Sequence, residues 1–498
     1  MPAYSGRYDL LIVGGGINGV GIARDAAGRG LSVLLVEQHD LAGHTSSASS
    51  KLLHGGLRYL ETFEFGLVRE ALAEREILLR IARHIARPLT FVLPAGPGTR
   101  PRWMIRLGLF LYDHLGGRHT LPGSSAVRLD PNGYGAALSP AISQGFTYAD
   151  GWVDDARLVI LNAIDARDRG ASIRTHTRFA GADRAGSAWE AKLSGPTGET
   201  VTVIARAIVN AAGPWVDTVL RATGGLLRHR PPRLVKGSHI IVPRLHTRDH
   251  AYILQNADKR VLFAIPYERD FTLIGTTDVD WRDPPAAPTI DRSEIRYLCT
   301  AANRWLERPI ATTDVVQSYS GIRALYDNGA RRASRVTRDY VLALDHRDKL
   351  ASLSIYGGKL TTYRRLAERA LDKLRPFLPK MGGRWTADAP LPGADFKDFD
   401  LLMEDVRARW PFLAADVAER MARAYGRRMT MVLGEADNMA ALGANYGYGL
   451  TDAEIDYLVR EEWAMTADDI LWRRSKLGLH LPPEAVAAVE QRMGALNG

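Results

Sequence analysis

The chain has 498 residues, 46% of them apolar and 24% charged, which is too long for one compact core and excludes wholesale disorder. Its single cysteine, Cys299, excludes an internal disulfide framework and a multi-thiolate metal site, and suits a reducing compartment; no metal-ligating set is read elsewhere. The net charge of +9 favours a negatively charged partner, yet no basic run interleaved with aromatics marks a nucleic-acid platform, and neither a signal peptide nor a span of ~20 apolar residues is visible.

In chain order, Tyr8–Val13 reads as a strand entering Gly14-Gly15-Gly16-Ile17-Asn18-Gly19, and a helical pattern follows to Gly28 and Gly30. Val33–Val36 is a second strand that closes on Glu37, 23 residues after Gly14. This is the spacing of a dinucleotide-binding βαβ unit. Gly14 permits the sharp turn, Gly16 opens the backbone to a pyrophosphate, and Gly19 lets the helix pack on the strand. The helix N-terminus turns free N–H groups and a partial positive charge toward the phosphates. Glu37 is placed to accept hydrogen bonds from ribose hydroxyls, where an arginine would suggest a 2′-phosphate.

From His44 to Glu61 runs a polar segment with Thr45, Ser46, Ser47, Ser49, Ser50, Lys51, His54, Arg58 and Tyr59. It either wraps a polar cofactor or is a solvated loop. The spacing predicts a helix over Phe65–Ala86, ended by Pro88, and a strand at Leu89–Leu93. In Pro101–Arg118, Trp103, Met104, Leu107, Phe110 and Leu111 share a helix face edged by arginines. That face suits a membrane headgroup region or a buried packing surface, and the segment is too short to span.

Residues 121–150 show little pattern. Asp154 and Asp155 read as caps of a helix running to about Arg169, followed by a strand at Ala171–Thr177. Val201–Val209 is a strand ending in Asn210-Ala-Ala-Gly213, a second point of backbone approach. Lys236–Phe271 contains short β-rich runs that predict an antiparallel sheet and a second domain. A helix over Asp291–Leu306 and a strand over Asp314–Tyr319, ended by Gly321–Leu325, follow. A third glycine turn, Gly357-Gly358-Lys359-Leu360-Thr361-Thr362, opens a helix to about Leu374. Pro376–Pro392 is a boundary, and from Phe396 onward amphipathic helices without catalytic spacing predict a helical cap domain.

The run SSASSKLLHGGLRYLE after a Rossmann start resembles the aerobic glycerol-3-phosphate dehydrogenases, FAD-dependent and membrane-associated, within the D-amino-acid-oxidase-like flavoproteins. The resemblance extends to the end of the chain. It implies an α/β fold: a Rossmann-type FAD-binding domain from residues 1–90, 150–225 and 320–380, an antiparallel β-rich substrate domain from 91–149 and 226–319, and a C-terminal helical domain over 390–498. Ser46, Ser50, His54, Gly213, Gly357, Gly358, Leu360 and Thr361 would join the first glycine turn around FAD. Arg58, Tyr59, Thr276 and Thr277 would line the substrate pocket, and Arg323 and Arg338 would bind phosphate. Lys359 would sit by the reacting oxygen, with Arg323 helping to hold it. His239, in KGSHIIVP, would be the general base, a role its near-neutral ordinary pKa suits. Arg331, Arg332 and Arg335 are left as surface. Ala324 departs from the family, which commonly has proline there.

The implied reaction is hydride transfer from sn-glycerol 3-phosphate to FAD, giving dihydroxyacetone phosphate, with electrons passed to a membrane quinone. A homodimer, bound peripherally through residues 101–118 at the cytoplasmic face of the inner membrane, is implied as well. Two alternatives stay open: an oxygen-using oxidase of the same flavoprotein group acting on glycerol phosphate or an amine, and a non-catalytic FAD-binding membrane sensor.

Overall fold

The computed structural model describes residues 6–497 except 97, 117–119, 225–230, 257, 259, 286–287, 327–338 and 348–349. Arg7–Val13 (β1) and Val33–Val36 (β2) are branched apolar runs, the mark of strands covered on both faces. Between them Ile17–Gly28 (α1) is buried along most of its length. Leu52–Leu53 (β3) precedes Phe65–Ile81 (α2). This helix stops short of the expected Ala86, because Ala86–Pro94 is a strand (β4) that contains Pro88. Leu89, Phe91 and Leu93 enter one apolar cluster and Val92 another, a period of two that overrides the helical spacing before it.

Arg102–Leu115 (α3) and Ser125–Arg128 (β5) lead to Gln144–Val153 (β6), a ten-residue strand in the stretch that showed no pattern. Its glycines explain the weak signal: a Cβ on Gly145 would lie 2.6 Å from the Leu93 carbonyl oxygen of the neighbouring strand. Asp155–Asp168 (α4) starts where expected, with Asp154 accepting a hydrogen bond from Arg157 N at 3.0 Å. Ser172–Arg174 (β7), Arg178–Ala185 (β8), Ala188–Ser194 (β9), Thr200–Asn210 (β10) and Val216–Ala222 (α5) follow.

The expected β-rich run is Arg233–Pro243 (β11), Ala251–Gln255 (β12), Val261–Tyr267 (β13), Phe271–Gly275 (β14) and Val279–Trp281 (β15). A capping box between Asp291 and Glu294 starts Arg292–Asn303 (α6). Gln317–Leu325 (β16) runs straight through the residues expected to end it. Val341–Arg347 (β17), Leu350–Tyr356 (β18) and Tyr363–Leu374 (α7) complete this part. The C-terminal helices are Phe399–Arg409 (α8), Ala415–Tyr425 (α9), Met429–Leu433 (α10), Asp452–Glu462 (α11) and Pro483–Asn497 (α12), packed around their own core with Trp410, Tyr425 and Tyr457.

Two sheets organise the rest. The first has the order β17-β18-β10-β1-β2-β7, parallel from β18 to β7, with the β8–β9 hairpin attached to β10. The second has the order β15-β11-β14-β13-β12-β4-β6-β3, with β16 on β11 and β5 on β6. It is antiparallel except where β4 runs parallel to β12. Strands β3, β4 and β16 therefore sit in the second sheet, so the chain passes between the sheets four times, as the expected segments have it, but leaves the first sheet before Leu52 and returns to it after Leu325.

Candidate active site

The three glycine turns come from adjacent strands. Strands β18, β10 and β1 lie side by side and parallel, so Gly357, Gly213 and Gly14 emerge together at one carboxyl edge, the place where such sheets receive ligands. Gly14, at φ +115°, packs so closely on β10 that a Cβ would stand 2.5 Å from the Ala211 carbonyl oxygen, and a Cβ on Gly19 would stand 1.9 Å from that of Gly14. Asn18 Nδ2 donates to the Gly357 carbonyl at 3.1 Å and ties the first turn to the third. Gly16, at the N-cap of helix α1, offers no side chain, and the first turn holds no acid, which leaves the N–H groups after Ile17 available to an anion.

Above this edge opens a cleft of about 450 Å³, of cofactor-site size. Of the expected cofactor residues, Gly14, Gly16, Asn18, Glu37, Ser46, Ser50, His54, Gly213, Gly357, Gly358, Leu360 and Thr361 line it. Ser46 Oγ accepts from Ile17 N at 3.0 Å, and Thr361 Oγ1 accepts from His54 N at 3.2 Å. Glu37 is also used within the protein. Its two oxygens accept from Gly15 N at 2.6 Å and His39 N at 2.9 Å, so its carboxylate shapes the glycine turn and only its remaining acceptor capacity is left for a ribose. Burial pushes its pKa up, against these two N–H donors. His39 and His44 place ligand-type nitrogens beside Glu37, but Nδ1 of the first and Nε2 of the second are paired at 2.9 Å.

The second sheet closes the other end. His239 on β11 faces Gly275 on β14 and Tyr319 on β16. Its ring stacks on Tyr319 at 4.9 Å, and its Nε2 is hydrogen-bonded to Ser50 Oγ at 2.8 Å. Burial, with Lys51 and Arg323 nearby, pushes its pKa down to about 3 rather than leaving it near neutrality. Arg323 on β16 donates to the Thr277 carbonyl at 3.4 Å and pairs with Asp278. Gly237 makes room for it, since a Cβ there would lie 3.1 Å from Arg323 Nη2. Lys359 Nζ lies 3.8 Å from the Tyr59 ring centroid, and burial lowers its pKa. His239, Arg323, Lys359, Tyr59 and Thr276 all line the cleft.

Two expected substrate residues do not line the cleft, and a third is not among the described residues. Thr277 does not line the cleft; its hydroxyl is spent on Glu294 Oε1 at 2.8 Å and on Ser238 N at 3.0 Å. Arg58 is exposed and absent from the lining. Arg338, like Arg331, Arg332 and Arg335, lies outside the described residues. Ala324 is in β16 opposite Leu234 and its carbonyl accepts from Gly357 N at 2.8 Å, so strand pairing supplies the rigidity that a proline would bring to a turn.

Sequence reasoning missed Asp278, Tyr319 and the pair beneath the loop. Lys51, at φ +58° and 2% exposed, donates to Asp155 at 2.7 Å, and Asp155 also accepts from Ser49 Oγ at 2.7 Å. Asp155 is thus more than a helix cap. Burial alone would lower the Lys51 pKa, but Asp155 holds its ammonium above its ordinary value.

A family of FAD-dependent oxidoreductases matches residues 9–364, and the C-terminal domain of alpha-glycerophosphate oxidase matches residues 384–496. A glycerol-3-phosphate dehydrogenase of Pseudomonas aeruginosa is 52% identical over 96% of this chain and 93% of its own. The aerobic glycerol-3-phosphate dehydrogenase of Escherichia coli is 49% identical over 97% and 96%.

The chain belongs to the FAD-dependent glycerol-3-phosphate dehydrogenase family.

A D-erythritol 1-phosphate dehydrogenase of Brucella abortus is also 49% identical, over 96% of each chain, so relatives at this identity include dehydrogenases of two polyol phosphates. Among solved structures, a Bacillus halodurans glycerol-3-phosphate dehydrogenase complexed with FAD aligns with a TM-score of 0.76 at 27% identity, covering 98% of this chain and 89% of that one. For a member of this family the cleft fits its flavin: close backbone approach at Gly14, a helix end without an acidic cap and a loop of hydroxyls all face the same space.

Proposed function

We propose that this dehydrogenase oxidises sn-glycerol 3-phosphate to dihydroxyacetone phosphate. The observation that carries the reading is that two cations, Arg323 and Lys359, and a neutral histidine, His239, line the same cleft as the glycine turns. Bound FAD supplies the hydride acceptor. Arg323 binds the phosphate as a planar fork, and the substrate competes with Asp278 for it. Lys359, desolvated beside Tyr59, holds the carbinol oxygen as it becomes a carbonyl. His239 takes the hydroxyl proton, and Ser50 and Tyr319 fix its ring. In this reading Arg338 shares the phosphate with Arg323, as the family resemblance implies.

Electron transfer to a membrane quinone and peripheral binding by a homodimer belong to the same proposal. Helix α3 supports the membrane contact: Ile105, Leu109 and Tyr112 are buried, whereas Trp103 is 66%, Leu107 51% and Phe110 50% exposed. Among the described residues no helix is long and apolar enough to cross a membrane. The activity is tested by dye-linked turnover on sn-glycerol 3-phosphate, D-erythritol 1-phosphate and glycerol. A preference for the first supports the proposal, a preference for the second reassigns the polyol, and turnover of glycerol alone overturns the phosphate site. Hydrogen peroxide formation in place of dye reduction would favour an oxidase.

A further inference from the structure

The loop after Glu37 is fastened from outside the flavin-binding sheet. Asp40, 4% exposed, takes a fork from Arg474 of the C-terminal domain: Nη2 donates to Oδ1 at 2.7 Å and Nη1 donates to Oδ2. Arg473 Nε donates to the same Oδ2 at 2.5 Å. Arg474 is 1% exposed and donates further to the Glu462 carbonyl at 2.6 Å. Both arginines belong to Asp469–Arg474, a π-helical turn, a winding that is rare and recurs at functional sites.

Asp40 passes this hold to the glycine turn. Its carbonyl accepts from Gly43 N at 3.0 Å, and Ala42 N, at φ +60°, donates to the Gly15 carbonyl at 3.2 Å. Leu41 packs so near that a Cβ on Gly15 would lie 2.8 Å from its Cδ2. A second tie acts at the far end of the loop. Lys476 Nζ donates to both Asp154 oxygens at 2.8 Å, and the next residue, Asp155, holds Ser49 and Lys51. Asp40, Arg473 and Arg474 do not line the cleft.

We propose that the C-terminal domain governs flavin retention, with the Arg474–Asp40 fork as a positioning device that keeps residues 38–51 closed over FAD. The proposal rests on FAD binding and is independent of which polyol phosphate is oxidised.

The test uses purified holoenzyme. Wild type, Asp40→Asn, Arg474→Gln, the double variant and Arg474→Lys are diluted, and FAD release is followed by the rise of free-flavin fluorescence, with unfolding midpoints recorded in parallel. Arg420→Gln is the control, because Arg420 pairs with Glu454 within the C-terminal domain and touches no part of the loop. Each single variant should release FAD about tenfold faster, as loss of a charge-assisted fork implies, with the double no faster than either single. Arg474→Lys, which keeps the charge without the fork, should fall between and covers the case in which Arg474→Gln does not fold. Arg420→Gln should unfold earlier yet release FAD at the wild-type rate. Wild-type release from the fork variants, an additive double variant, or equally fast release from Arg420→Gln would overturn the proposal. Wild-type protein that holds no flavin would overturn the cofactor assignment itself.

Discussion

Ser50 Oγ and His239 Nε2 stand 2.8 Å apart and join the flavin-facing loop to the sheet that closes the substrate end. The loop can hold Ser50 there because its neighbours Ser49 and Lys51 are anchored on Asp155.

Removing the hydroxyl should therefore loosen the imidazole. Ser50→Ala is expected to slow anaerobic flavin reduction by about tenfold, a loss of the size of one hydrogen bond, and Ser50→Thr should retain most of the rate. His239→Gln should lose about 10²-fold or more. Burial keeps free His239 neutral down to about pH 3, so its own titration should add no acid limb to kcat/KM between about pH 5 and 8. A His239-dependent limb centred near 6.5 would contradict the buried geometry.

Arg323 should act on substrates that carry phosphate. Arg323→Gln is expected to raise KM for sn-glycerol 3-phosphate by about 10²-fold, the scale of a charge-assisted fork. Weak turnover of glycerol should be unchanged. A fall in kcat for both alcohols with KM unaltered would mean that Arg323 does not bind the phosphate.

His84 should contribute to the acid instability. It is fully buried, neither ring nitrogen has a hydrogen-bond partner among the described residues, and burial, with Arg157 and Arg423, pushes its pKa down to about 3. The unfolded chain takes up this proton near 6.5, so between about 3 and 6.5 it binds more protons than the native state, and stability falls as pH falls through that window. His84→Phe should flatten the acid limb of urea-unfolding free energy by about one proton. An unchanged slope would show that His84 is not a source of it.

Acidic residues on the outer face of α3 should weaken vesicle binding. Trp103→Glu with Phe110→Glu is expected to leave flavin content and dye-linked turnover intact while reducing sedimentation with anionic vesicles by about tenfold, since both side chains are at least half exposed. Equal sedimentation would remove α3 from the membrane-contact reading.

Much of the flavin cleft was legible in the sequence because its signals are local. Each glycine turn sits between a strand and a helix within a few residues, and the Gly14-to-Glu37 spacing is visible without a fold. The contacts that tune the site are not local: Asp155 meets Lys51, Asp278 meets Arg323, and Tyr319 meets His239 only after distant strands pair in the second sheet. Thr277 shows the converse, because its position next to Thr276 gave no sign that its hydroxyl would serve Glu294. Strand β6 was hidden by the glycines that let it pack, and the end of α2 was blurred by apolar residues whose period serves helix and strand alike.

The most direct measurement is anaerobic mixing of the purified protein with sn-glycerol 3-phosphate while the flavin band at about 450 nm is followed, a band that belongs to the cofactor itself. Rapid bleaching that fails with glycerol and slows strongly in Arg323→Gln is the result expected of a phosphate-reading polyol dehydrogenase. A flavin that dithionite reduces but sn-glycerol 3-phosphate and D-erythritol 1-phosphate do not would contradict it.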